Sequence, residues 1–238
     1  MERLKAGAVK LGLELSPRQL EQFHIYYQEL VAWNQRLNLT RITGYEEVQV
    51  KHFLDSLTVS LAWPAARDKA SLHIIDVGTG AGMPGLPLKI LYPNISLTLL
   101  DATAKKATFL RHLSGELGLE NVEIAVGRAE DFARRSKYRE SFDVALSRGV
   151  APLATLVELT LPFCRLGGSL ITQKKGDVTQ EVAAAQQATS LLGGKLREIK
   201  MISLAEFSDE RKLVIIDKVS PTPRPYPRRP GIPRKRPL

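Results

Sequence analysis

The sequence predicts an α/β fold: a mostly parallel sheet of seven strands covered by helices on both faces, its last strand antiparallel, with a helical segment ahead of it. Three observations carry this expectation. From residue 72 onward the hydrophobic period switches repeatedly between strand-like runs and helix-like stripes. The first apolar run ends at Asp76-Val77 and breaks into Gly78, Gly80, Gly82 and Gly85, which reads as strand, tight turn and helix start. The last two runs, 195–202 and 212–219, are joined by a polar loop with no room for a crossover helix, so they pair as an antiparallel hairpin.

Length and composition set the bounds. With 238 residues the chain exceeds one average domain but not two, so three parts are expected: a helical segment over 1–70, the α/β core over 71–220, and a basic tail over 221–238. No run approaches the roughly 18 apolar residues of a membrane span, and Met1-Glu-Arg-Leu-Lys5 lacks the apolar stretch of a signal peptide. A soluble, cytoplasmic protein without a membrane partner is expected. The single Cys164 excludes a disulfide within the chain, and four scattered histidines offer no ligand pair at helical spacing, so no metal is expected. The net charge of +9 favours an anionic partner.

Taken in order, Ser16-Pro17 makes an N-cap with a first-turn proline, and Leu20, Phe23, Tyr27, Leu30 and Val31 form an amphipathic stripe that should end near Trp33-Asn34. A second helix is expected over 46–61. Between the two, Asn34, Asn38 and Thr40 suit either a capped turn or a role in a site, and Trp33 suits the core. His52 lies one turn from Asp55 and Ser56, as a local hydrogen-bonded pair or a pocket wall. The remaining strands are expected at 72–77, 96–100, 122–126, 142–147 and 169–173, with helices over 85–91, 105–117, 153–163 and 179–191. Pro84 suits the first turn of the helix after the glycines.

In such a sheet, ligands bind at the carboxyl ends of the strands. Two cofactor classes use a bare glycine turn there. Gly80-Ala-Gly82-Met-Pro-Gly85 matches a dinucleotide fingerprint, with Asp101 placed for a ribose. Asp76-Val-Gly78-Thr-Gly80-Ala-Gly82 equally fits the turn that binds S-adenosylmethionine. The second is favoured, because Asp76 would repel a pyrophosphate and welcome a methionine ammonium, directly or through water. After the third strand, Ala129 and Glu130 can flank an adenine or simply open a helix. Arg148, after the fourth, can hold the methionine carboxylate or touch a nucleic-acid phosphate, and Lys175 faces the same side.

The helical N-terminal segment, Trp33-Asn34 through Asn38-Leu39-Thr40, His52 with Asp55-Ser56, Asp76 to Gly85, and Ser147-Arg148 together resemble the RsmG (GidB) family over nearly the whole chain. That resemblance implies a Rossmann-like class I methyltransferase fold and an enzyme that uses S-adenosylmethionine to methylate N7 of one guanine in a conserved loop of bacterial 16S ribosomal RNA. It further implies that Gly78, Met83, Asp101, Ala102, Thr103, Ala129, Glu130 and Arg148 line the cofactor. Tyr226 to Pro233 resembles the ending of many members but not all.

The residues agree with N7 as acceptor, since that nitrogen carries a lone pair and no proton, and displacement on a sulfonium methyl needs alignment rather than a base. No covalent catalyst is expected, only positioning by Arg148. Methylation at a pyrimidine carbon wants a cysteine nucleophile, whereas Cys164 reads as core at a helix end. Methylation of an exocyclic amine usually shows an Asn/Asp-Pro-Pro-aromatic turn where this chain has Ser147-Arg148-Gly149-Val150. The tail carries seven prolines, six basic residues and no acid over 221–238, a composition that favours extended polyproline conformation and suits an RNA arm. Arg228 and Arg229 are its expected RNA contacts, beside Asn38, His52, Lys105, Arg128 and Lys175 on the body. The expected partner is 16S ribosomal RNA or a small-subunit particle, met by a monomer.

Overall fold

The computed structural model describes residues 1–63 and 72–238. The expected boundary between helical segment and core falls outside the described residues. Seven strands form one sheet in the order β3-β2-β1-β4-β5-β7-β6: β1 (His73–Val77), β2 (Ser96–Asp101), β3 (Val122–Val126), β4 (Phe142–Arg148), β5 (Cys164–Lys175), β6 (Gly194–Ile202) and β7 (Arg211–Lys218). Pairings from β3 through β5 are parallel, and β7 runs antiparallel to both its neighbours. The hairpin folds back so that the last strand lies inside the sheet and β6 takes the edge. Cys164 begins β5 rather than ending a helix; it is buried, and burial pushes its thiol up to about 12.

Strand alternation sorts the apolar side chains into two layers. Ile74, Leu97, Leu99, Val144, Leu146, Ile171, Leu213 and Ile215 face one layer; Ile75, Val77, Leu100, Ala145, Leu170, Val214 and Ile216 face the other. The first layer is closed by α5 (Gly85–Leu91), α6 (Ala104–Glu116) and the N-terminal helices. The second is closed by α7 (Ala129–Phe132), α8 (Leu153–Thr160), α9 (Thr179–Ala184) and α10 (Gln186–Leu191), with Tyr226 and Leu238 of the tail packed on it.

The N-terminal segment holds more helix than its periodicity announces. α1 (Glu2–Lys10) buries Leu4, Gly7 and Ala8. α2 (Pro17–Leu37) begins at a Ser16–Gln19 capping box and runs four residues past Trp33, until Asn38 takes the left-handed conformation that ends it. Gln19 also donates to the carbonyls of Ile90 and Leu91, so one side chain caps the start of α2 and the end of α5. The expected helix over 46–61 is a continuous run of mixed pitch: α3 (Tyr45–Val48), a π-turn (Gln49–Leu54), α4 (Asp55–Leu57) and a 3₁₀ turn (Thr58–Ala62). Phe53 projects from the π-turn between Phe23 and Tyr26, 5.0 Å from each ring.

The tail, expected as an extended basic arm, lies docked on the core. Thr222, Pro227 and Pro233 are buried, and a final short helix, α11 (Ile232–Lys235), lies on α8. A proline-rich strand has no internal hydrogen bonds, so its carbonyls are available as acceptors. Arg139 donates to the carbonyls of Thr222, Pro223 and Tyr226, and Arg134 to those of Pro225 and Pro227. Arginines of the core thus hold the segment's backbone, beside the tail's own Arg228 on Glu158.

Candidate active site

At the carboxyl end of β1 the chain turns through residues 78–84 into α5, and two carboxylates brace the turn. Asp76, fully buried, accepts from Thr79 Oγ1 at 2.7 Å and Gly85 N at 2.9 Å, both through Oδ2. Its Oδ1 is buried without a partner. Burial pushes this carboxyl up to about 6 against the pull of those two donors. Asp101, at the end of β2, accepts from Gly80 N at 3.0 Å and Thr103 N at 2.9 Å, with Lys106 Nζ 3.7 Å away.

The glycines of this turn serve different neighbours. Gly80 has φ +62°, and a Cβ there would meet nothing nearer than the Gly78 carbonyl at 3.9 Å, so the turn is bare toward the cavity. Gly82 faces the helical segment: its Cβ would lie 2.5 Å from Leu86 and 2.8 Å from the Tyr26 hydroxyl, which donates to the Ala81 carbonyl at 2.6 Å.

Two cavities with a shared wall open before this turn. The smaller, of about 100 Å³, includes Leu100, Gly127, Ala129 and Glu130 in its lining; the larger, of about 410 Å³, includes Gly80, Met83, His52 and Arg148. Gly78, Asp101, Ala102, Val150 and Arg234 line both. Three expected cofactor residues stand back from this space. Asp76 lies behind the turn, Gly82 is turned toward Tyr26, and Thr103 gives its amide to Asp101. With the turn between them, the charge of Asp76 bears less on a ligand in the cavity than its place in the sequence suggests.

The helical segment supplies one wall through a charged knot. Arg148 shares its sheet face with Val144 and Leu146, Gln173 with Ile171, and Arg211 with Leu213, so all three point at the helices. β7 is antiparallel, which sets Arg211 beside Lys175 at the site end of β5. Asp55 receives Arg148 on Oδ2 and Arg211 on Oδ1, each at 2.9 Å, and its carbonyl accepts from Gln173 Nε2 at 2.6 Å. His52 does not pair with Asp55 or with the Ser56 hydroxyl, which donates to the His52 carbonyl. Its Nδ1 faces the Lys51 carbonyl at 3.2 Å and its Nε2 the Thr40 hydroxyl at 2.8 Å. A carbonyl only accepts, so Nδ1 carries the proton and Nε2 accepts. Burial first, then Arg148, holds this imidazole down to about 4.

Of the expected RNA contacts, Lys105, Arg128, Lys175 and Arg229 are exposed, and exposed Asn38 is a helix cap. Arg128 also reaches Glu130 Oε1 at 3.2 Å, and Lys175 lies 3.3 Å from Asp209. Arg228 is not free for a phosphate: its guanidinium makes a two-point pair with Glu158, whose side chain is fully buried. The sequence did not single out Lys106, Arg211, Gln173, Arg234 or Glu158. Only Lys106 carried a local signal, one residue from Lys105 at the start of α6. Among the described residues no cluster of His, Cys, Asp and Glu could hold a metal, and no helix is long and apolar enough to cross a membrane.

Known proteins resemble this chain in fold and in sequence. Two solved structures resemble the fold alone: the [4+2]-cyclase SpnF (TM-score 0.54, 15% identity, 70% of this chain and 82% of that one), and a 16S rRNA adenine-N1-methyltransferase from Catenulisporales acidiphilia (TM-score 0.51, 12% identity, 64% and 87%). Sequence relatives are nearer. The ribosomal RNA small subunit methyltransferase G of Dehalococcoides mccartyi is 50% identical and that of Roseiflexus castenholzii 45%, each over the full length of both chains. The family model for GidB, rRNA small subunit methyltransferase G, matches residues 19–214, and the chain belongs to that family.

Proposed function

We propose that the chain, a cytoplasmic monomer, binds S-adenosylmethionine in the paired cavities and methylates N7 of a guanine in the 530 loop of 16S ribosomal RNA, free or in a small-subunit particle. One observation carries this reading: a bare turn at Gly80, clamped between Asp76 and Asp101, faces a divided cavity at the carboxyl ends of β1 and β2.

The residues present fit the cofactor. Asp101 keeps lone pairs for ribose hydroxyls after accepting two amides. Ala129 and Glu130 line the smaller cavity, where an adenine would lie. The unpartnered Oδ1 of Asp76, behind the turn, calls for a donor, which a water bridging toward the methionine ammonium supplies. Arg148, held by Asp55 and 19% exposed, faces the larger cavity and suits the methionine carboxylate.

Bound here, the cofactor supplies a methyl group on a sulfonium, open to displacement by a lone pair. The chain's part is alignment. Guanine N7 needs no proton removed, and the side chains at hand are committed elsewhere. His52 is neutral with Nε2 turned to Thr40, and Asp101 is engaged with the turn.

The test supplies methyl-labelled S-adenosylmethionine and small-subunit RNA from a strain lacking the family's enzyme, followed by nuclease digestion and mass spectrometry. Label in 7-methylguanosine at one position is expected. Label on a ring carbon or an exocyclic amine, or none while the cofactor binds, overturns the reading.

A further inference from the structure

We infer that the C-terminal tail is a built part of the cofactor site, a strap whose Gly231 braces Glu130 from behind and whose Arg234 closes the seam between the two cavities. The inference rests on the cofactor reading above and goes beyond it. Three contacts at separate points of the strap support it. Arg228 fixes the strap to buried Glu158 through its side chain and, at 2.7 Å, its backbone amide. Three residues on, the Gly231 amide donates to Glu130 Oε1 at 2.9 Å, at the inner wall of the smaller cavity. Arg234 then donates to the Val150 carbonyl at 3.2 Å and lines both cavities.

The route between these points is stiff. Pro233 is buried with its carbonyl accepting from Thr155 Oγ1, so Arg234 leaves α11 from a fixed base while its own side chain remains exposed. A guanidinium on that lip donates to the ribose or ring nitrogens of a nucleoside lying between Asp101 and Glu130. With the strap lifted, Glu130 loses the Gly231 amide and the smaller cavity loses one wall.

Two measurements on the full-length protein decide the matter. Arg234→Ala removes an exposed side chain and should leave circular dichroism and the melting temperature unchanged. The dissociation constant and KM for S-adenosylmethionine should rise roughly five- to tenfold, the scale of one ordinary hydrogen bond lost at a solvent-exposed lip, with kcat retained. Binding within twofold of the parent overturns the strap's role, as does an unchanged cofactor constant with weakened RNA binding, which would return the tail to the RNA. The second measurement uses reciprocity: if the docked strap strengthens cofactor binding, the cofactor must strengthen docking. Trypsin cleavage after Arg228, Arg234 and Lys235 of the parent protein should slow several-fold at saturating S-adenosylmethionine. An unchanged rate with the cofactor demonstrably bound overturns the strap, whereas failure of the intact chain to bind S-adenosylmethionine overturns the cofactor reading and the strap with it.

Discussion

Two regions outside the seven-stranded sheet reach the site, and they are held there by opposite means. The N-terminal helices lie over the first layer with Phe23, Tyr26, Leu30, Phe53, Leu54 and Leu57 fully buried, and bring one carboxylate, Asp55, to cationic residues of the sheet. The tail packs Tyr226 and Leu238 on the second layer but is tied down mainly by polar contacts: backbone carbonyls, which core arginines collect, and one guanidinium for a buried glutamate. An apolar interface cannot be lifted without exposing the sheet. A strap of carbonyls can be lifted with water replacing each bond.

The difference predicts how each region fails. Asp55→Ala takes the buried partner from both Arg211, whose side chain is 4% exposed and keeps the more exposed Asp209, and Arg148, in a place the helices cannot vacate. A loss of about 3–5 kcal/mol is expected, the range for breaking one side of a buried ion pair. Urea unfolding monitored by circular dichroism measures it, and a loss under about 1 kcal/mol, typical of an exposed pair, would erase the contrast between the two regions.

The burial that the helical segment imposes should also be visible in pH dependence through Asp76. Its carboxyl is raised from an ordinary 3.8 to about 6, so folding is favoured by its protonated form. That contribution is fully present below the unfolded value and is lost as pH rises through about 6. At 1.36 kcal/mol per unit the swing is about 3 kcal/mol. Asp76→Asn cannot ionise, so its stability relative to the parent should improve by most of that amount between pH 4.5 and 7. Parallel stability curves over this range would mean that water reaches Asp76.

Reading the chain without its structure recovered the sheet, its antiparallel end and the glycine turn, because each leaves a local trace: a period of two, a polar connection too short to cross, and glycines where backbone is bare or tightly packed. α1 escaped because nine residues with a glycine at the buried face make a weak stripe; Gly7 is there to let Leu54 approach, which only the fold reveals. The knot at Asp55 draws on β4, β5 and β7, and no sequence spacing connects residues 55, 148, 173 and 211. The docking of the tail left no local trace for a physical reason. The tail's composition shows its own basic groups but not their partners, and Arg134, Arg139 and Glu158 lie 70 to 93 residues upstream.

The turn itself lies between the two regions, and Asp101 tests it without disturbing either. Asp101→Ala removes the acceptor for the Gly80 amide and a ribose partner together. S-adenosylmethionine should weaken by roughly 1.5–3 kcal/mol, the scale of hydrogen bonds to a charged group, with little change in RNA affinity. Calorimetry measures both. A change under twofold would confine Asp101 to bracing the start of α6.

The smallest expected effect is the most discriminating, because it sets the same chemical insult in the other region. Arg228→Ala removes the partner of Glu158, a carboxylate as buried as Asp55, yet here the covering segment is free to peel away. Once it peels, Glu158 is hydrated rather than stranded, so the cost cannot exceed the free energy of docking the strap. Global stability should fall by less than about 1 kcal/mol, as for a locally opening surface segment. The Gly231 amide, which donates to Glu130 in the docked strap, should at the same time lose its protection from hydrogen exchange. A global loss near that of Asp55→Ala, with Gly231 still protected, would mean that the tail is as much a part of the core as the helices, and the two regions would no longer differ in kind.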